Sequence, residues 1–215
     1  MTSLPRSALP VLLALLAGCI RVGLGGGGGE PPAAYHLGAP EPPPGLRPVN
    51  WQLVVDRPSA PRSLDGQRIV WIDRDGRVAL LPGAQWTDRI PDLVQGALIE
   101  TLERSAAIAG VDRPTSGLRG DYLLVTEIRA FQLERAADGA FAARVALGLR
   151  LLEPARNRIV ASRLVEATAP AHGDAPAAAV SAFREAFARV IPEAARWALE
   201  SGEANRTSVP PPQGR

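Results

Sequence analysis

The sequence predicts an α+β domain: an antiparallel sheet of about six strands with two main helices packed on one face, in the order β-β-β-α-β-β-β-α. Three observations carry it. Residues 122–133, 140–152 and 159–169 are long strand candidates, and in the middle one Phe141, Ala143, Val145, Leu147, Leu149 and Leu151 alternate with positions that include Arg144 and Arg150. One face is apolar and the other can meet water, the pattern of an antiparallel sheet covered on one side. Two other stretches repeat their apolar residues at the helical period. The segments between these elements carry turn chemistry.

The chain opens on residues 1–18, which read as a bacterial export signal: Arg6 supplies the positive start, residues 8–17 the apolar core, and small residues precede Cys19. That core is too short to span a bilayer as a helix, which takes roughly 20 apolar residues. Cys19 is the only cysteine, and three roles compete for it and the glycines that follow: a reactive thiol, a phosphate-cradling loop, and a lipid attachment point with a tether. No histidine lies near it, which disfavours a catalytic thiol. A phosphate loop needs a strand before and a helix after its glycines, yet residues 25–29 lead into Glu30-Pro31-Pro32. Leu16-Ala17-Gly18-Cys19 is similar to the lipobox of bacterial lipoproteins, where cleavage before the cysteine precedes its acylation. Residues 19–34 then serve as a Gly/Pro-rich tether between lipid and domain. In the sorting rule known for such lipoproteins an Asp after the cysteine retains the protein at the inner membrane. Ile20 stands there, so the expected site is the outer membrane, facing the periplasm.

Residues 35–200 form the expected single domain. Residues 35–48 are Pro-rich and extended, residues 51–55 a short apolar strand, and residues 56–66 a loop. Residues 68–73 and 77–81 read as a hairpin around Asp75-Gly76, a pair that accepts positive φ. Thr87 is the expected cap of the first helix, with Pro91 tolerable in its first turn. The apolar stripe of that helix is Ile90, Leu93, Val94, Ala97, Leu98, Thr101 and Leu102. After the three long strands, Asp174 is the expected cap of a last helix whose stripe is Val180, Phe183, Phe187, Val190, Ile191, Ala194 and Ala198. Pro192 is expected to kink or split it. Residues 201–215 read as a disordered tail.

Charge and composition exclude more than they assign. The net charge is +2, and every one of the cationic residues is arginine. These arginines are scattered among acids without interleaved aromatics, so no nucleic-acid surface is expected. His36 and His172 have no partner at ligand spacing, so neither a metal nor another cofactor is expected. No nucleophile elbow is present, and Asp73 and Asp75 read as a solvated turn. A binding or structural role is therefore favoured over an enzyme.

Several segments, taken in order, resemble one family. Residues 68–105 contain Arg68-Ile69-Val70-Trp71, then Pro82-Gly83-Ala84, Trp86, Pro91 and a Leu-rich helix ending at Ser105, and Leu64-Asp65 lies just before them. Tyr35-His36-Leu37 stands just beyond the tether, and "DYLLVTEIRAFQLE" and "RVALGLRLLEPARNRIVASRLVEA" follow. This pattern resembles the ABC-type transport auxiliary lipoproteins, the family of the paraquat-inducible C lipoprotein; Trp71 stands where that family commonly has Tyr. The resemblance implies a non-enzymatic, lipid-anchored accessory of an envelope lipid transporter. Its implied partner is a mammalian-cell-entry-type substrate-binding subunit. An alternative is a lipoprotein that itself binds a lipid between sheet and helices, although the abundant alanines of the last helix favour close packing.

Two roles stay open for Tyr35, Leu37 and Trp86. Either they pack onto the domain, with the lead-in segment joining the sheet as an edge strand, or they form part of a surface for the transport partner or a second copy of the chain.

Overall fold

The computed structural model describes residues 31–135, 139–173 and 175–208. Cys19, the glycine run, the Asp174 cap and residues 209–215 lie outside the described residues. The elements are β1 (Ala33–Tyr35), β2 (Val49–Val55), β3 (Arg68–Ile72), β4 (Val78–Trp86), α1 (Ile90–Arg104), β5 (Ile108–Asp112), β6 (Tyr122–Arg135), β7 (Phe141–Glu153), β8 (Arg158–Ala171) and α2 (Pro176–Ser208). The fold is α+β. Among the described residues eight strands form one mixed sheet, where about six antiparallel ones were expected.

The sheet is organised around β6. One edge of β6 pairs antiparallel with β7 from Leu123–Leu152 to Arg135–Phe141, and β8 continues antiparallel beyond β7. The other edge is shared: β2 runs parallel to it at residues 122–124 and β3 parallel to it at residues 132–134. Residues 56–59 fill the interval, with Asp56 and Ser59 donating their N–H groups to Leu124 and Thr126. The chain does not reverse between β2 and β3. It makes an excursion through a loop with Pro58 and Pro61 and resumes its direction, which is why both strands lie parallel to β6. Outside them, β5 pairs parallel with β2, and β4 antiparallel with β3.

The predicted alternation of β7 holds. Val145, Leu147, Leu149 and Leu151 are at most 1% exposed, while Arg150 is exposed. In β6 the inward residues are Tyr122, Leu124, Thr126 and Ile128, then Phe131 and Leu133. The parity changes because the register slips between Ile128 and Ala130. Arg129 is the extra residue of this β-bulge, and its side chain lies across Gly148 of β7. The two helical stripes also hold, every residue of both being buried. They merge with the inward sheet residues in one core, where Trp86, Phe131, Phe183 and Phe187 meet.

Three local expectations are corrected. β4 does not end in a turn at residue 81. It continues to Trp86 through a bulge at Pro82-Gly83, Gly83 taking a φ of +71° that a glycine adopts without strain. The cap of α1 is Arg89, without a side-chain cap bond, while the Thr87 hydroxyl meets His36 Nδ1 at 3.3 Å. α2 runs unbroken over Pro192, which removes only one backbone bond from a helix packed along its whole buried stripe.

α2 also extends to Ser208, eight residues into the segment read as a tail. A latch at the far end of the sheet holds it. Tyr122 Oη donates to the Gly202 carbonyl at 3.0 Å and accepts from Asn205 Nδ2 at 2.9 Å. Trp51 Nε1 donates to Glu203 at 3.2 Å, Arg158 to Asn205 at 2.7 Å, and Arg206 pairs with Asp121.

Gly202 is required there. A Cβ at this position would stand 2.5 Å from Cζ2 of the fully buried Trp51. Gly202→Ala gains about 1 kcal/mol of helix propensity but overpacks the indole at a cost of about 1–3 kcal/mol. The expected outcome is a lower melting temperature, by a few degrees, in thermal unfolding followed by circular dichroism. A raised melting temperature would show that the indole yields freely.

Candidate functional site

The residues expected at a partner surface are placed differently. β1 pairs parallel with the last residues of β4, Ala33 with Ala84 and Tyr35 with Trp86, and Thr87 N–H donates to the Tyr35 carbonyl. Leu37 is 3% exposed and Trp86 fully buried, its ring edge-on to Phe183 at 5.1 Å. Both are core residues, because the lead-in segment lies on the domain as an edge strand. Tyr35 alone is half-buried.

Leu64-Asp65, the loop pair quoted from the sequence, positions the start of α1. Leu64 is buried, and Ile90 N–H donates to the Gly66 carbonyl. Asp65 pairs with Arg89 at 2.7 Å and with Arg57 at 3.3 Å, and Arg57 in turn pairs with Asp92 at 2.7 Å. The hydrogen bond from Arg89 holds the Asp65 carboxyl below the usual carboxylate range; partial burial opposes this, and Arg57 adds to it. The bond to Asp92 raises Arg57 above its ordinary value. At the far end Glu153 is pushed up by burial, but the bond from Arg158 and the charges of Arg156 and Arg158 outweigh this and hold it low. These are structural ties, with side chains in contact with solvent.

The α2–sheet interface is filled: Ala179, Ala182, Ala186, Ala194, Ala195 and Ala198 are at most 4% exposed. An apolar cavity of about 220 Å³ lies instead at one end of the sheet, near the β3–β4 and β6–β7 connections and the start of α2. Trp71, Leu81, Leu133, Phe141, Ala171 and Ala179 line it. Trp71 and Phe141 meet edge to face at 5.7 Å, and the Arg135 guanidinium lies 5.2 Å from the centre of the Phe141 ring. Sequence reasoning singled out Trp71 but not this cavity. The available signal was the gathering of large apolar residues at strand ends, which becomes a site only once the registers of four strands are known.

A second groove, along α1, is lined by Asp88, Asp92, Glu100, Glu103 and Asp112 together with His36 and Arg113. Among the described residues no group of three or more His, Cys, Asp or Glu side chains could hold a metal ion, and no helix is long and apolar enough to cross a membrane.

Comparison with known proteins follows the same boundaries. The profile of the ABC-type transport auxiliary lipoprotein component family matches residues 35–195. The crystal structure of protein XCC0632 from Xanthomonas campestris, of the DUF330 family, is similar with a TM-score of 0.77 and 30% identity, covering 82% of this chain and 100% of that one. A crystal structure of an uncharacterized protein shares the fold at a TM-score of 0.54 and 16% identity, covering 84% and 100%. The uncharacterized protein bll6063 of Bradyrhizobium diazoefficiens is 34% identical over 190 residues, 86% of this chain. The chain spans about half the length of that curated relative, 49%.

The Asp65 ties generate a pH dependence. Its carboxyl is lowered on folding, so its contribution is present above the unfolded value of about 3.9 and is lost as the pH falls through the lower folded value. Asp65→Asn is therefore expected to melt below the parent at pH 7, with the gap narrowing once the pH falls below about 4. A gap that stays constant between pH 7 and pH 3 would show that Asp65 acts through packing alone.

Proposed function

The chain belongs to the ABC-type transport auxiliary lipoprotein component family, and on that footing we propose that it is a non-enzymatic accessory of an envelope lipid transporter, anchored through acyl chains on Cys19. In this reading residues 1–18 are removed, residues 19–34 tether the domain, and the domain docks a mammalian-cell-entry-type substrate-binding subunit at the outer membrane, facing the periplasm.

The observation that carries the reading is the family match over residues 35–195 directly downstream of Leu16-Ala17-Gly18-Cys19. The geometry fits an accessory rather than a carrier. The helix–sheet interface is filled by alanines; the cavity beside Trp71, at about 220 Å³, falls below the roughly 300–1,000 Å³ that small-ligand pockets occupy, and the larger open groove of about 570 Å³ between residues 45–49 and the end of α2 has Arg47, Glu200 and Glu203 in its lining. The first is too small for a whole lipid and the second carries charged side chains, so the alternative of a lipid-carrying lipoprotein has less support.

Cys19→Ala is expected to abolish metabolic labelling with fatty acid and to release the protein from the membrane fraction. Labelled, membrane-bound Cys19→Ala protein would overturn the anchor. For the docking role, the parent expressed with the transporter genes should be retained by a tagged mammalian-cell-entry subunit, and should float with outer-membrane markers on a density gradient. Clean separation from the subunit after mild cross-linking would refute docking, and flotation with inner-membrane markers would refute the assigned membrane.

A further inference from the structure

On the face of β6, β7 and β8 turned away from the helices, Glu127, Gly148 and Leu164 form one cross-strand row. The row has no side chain at its centre. The glycine leaves a solvent-open concavity of about 360 Å³, with Arg129, Arg150, Ser162 and Arg163 around it. Arg129 reaches it as the extra residue of the β6 bulge, an irregularity that re-aims a side chain. Its Nε lies 2.9 Å from where a Cβ of residue 148 would stand, so the guanidinium group lies across the glycine. Arg150 enters from the next row, opposite Val125 and Ser162.

The protein does not saturate these two guanidinium groups. Both face a single carboxylate oxygen, Glu127 Oε2, at 3.6 Å from Arg129 and 3.9 Å from Arg150, too far for hydrogen bonds. Among the described residues neither side chain has another partner. Arg144, on the same face, shows the contrast: it donates to Glu134 at 3.4 Å and to Glu166 at 3.0 Å. Arg163 is likewise paired, with Glu193 at 2.6 Å. Two cations share one anion at the concavity, which leaves a surplus of positive charge and several N–H donors held in rigid forks.

We propose that Arg129 and Arg150 bind a phosphate group, seated over Gly148. A phosphate presents more acceptor oxygens than a carboxylate and accepts from two guanidinium forks at once. Its charge complements the surplus that Glu127 leaves. The absent side chain at position 148 provides the room, and the Ser162 hydroxyl at the rim is a further donor. The phosphate can belong to a lipid headgroup or be the free ion, and the site does not depend on which transporter the chain serves.

The test titrates the full-length protein in dodecyl maltoside, at fixed ionic strength, against two probes followed by phosphorus NMR. One is inorganic phosphate; the other is glycerophosphoglycerol, a lipid headgroup without its acyl chains. Saturable binding is expected, weakened about tenfold by Arg129→Gln or Arg150→Gln. Both side chains are exposed, so the melting temperatures stay at the parent value. Glu127→Gln removes the competing carboxylate and is expected to tighten binding, whereas Arg144→Gln leaves the affinity unchanged. Tighter binding of glycerophosphoglycerol assigns the site to a headgroup, and tighter binding of inorganic phosphate to the free ion; either supports the proposal. Absence of saturable binding, or Arg129→Gln and Arg150→Gln proteins that bind like the parent, would overturn it. Acetate that competes as strongly as phosphate would assign the pair to carboxylates and overturn it as well.

Discussion

Phe131 is the residue on which the arrangement turns. Its ring stacks on Phe183 at 5.2 Å and meets Trp86 and Phe187 edge to face at 5.9 and 6.1 Å. Those contacts join β4, β6 and α2, which are not neighbours in any backbone ladder, since β3 separates β4 from β6. Aromatic pairs of this kind add roughly 0.5–1.5 kcal/mol each beyond the area they bury. The cluster tolerates one cost, the Trp86 indole N–H, which has no oxygen or nitrogen acceptor. Rings set almost perpendicular to the indole, Phe183 at 89° and Phe131 at 84°, supply the weaker aromatic surroundings such a group accepts.

Phe131 faces inward only because of the bulge at Arg129. Up to Ile128 the even-numbered residues of β6 point to the helices, and without the extra residue Phe131 would point to the outer face. The bulge is accommodated where β7 has Gly148, whose missing side chain leaves room for Arg129: a Cβ there would stand 2.9 Å from Arg129 Nε. A glycine in one strand and an arginine in the next thus set the register that closes the core.

This explains what the sequence could and could not disclose. Periodicity is a property of one element; it located β6, β7, β8, α1 and α2, and it gave the buried faces of β7 and of the two helices, down to Leu147 inside and Arg150 outside. Strand direction is a property of pairs. The Pro58 and Pro61 loop reads the same whether the chain reverses or resumes, so the parallel pairing of β2 and β3 on β6 was not legible. β5 escaped because five residues containing Gly110, of which only Val111 is fully buried, resemble a helix terminator followed by a loop. The far end of α2 was misread for a related reason: Ser201, Gly202, Glu203 and Asn205 are polar or small, and they are held by Trp51 and Tyr122, partners more than 70 positions away in the chain. The same logic applies to Trp86, for which packing onto the domain and a place on a partner surface both stood open until its neighbours from β6 and α2 were known.

The two ends of the sheet differ in chemistry, and α2 connects them. Its first turn borders the apolar cavity through Pro176 and Ala179, and its last turns enter the polar latch around Tyr122. Between these points the small side chains Ala182, Ala186, Ala194 and Ala198 bring it close to the sheet, leaving little room for it to shift. A helix fastened at both ends and packed tightly between them makes the domain behave as one rigid spar.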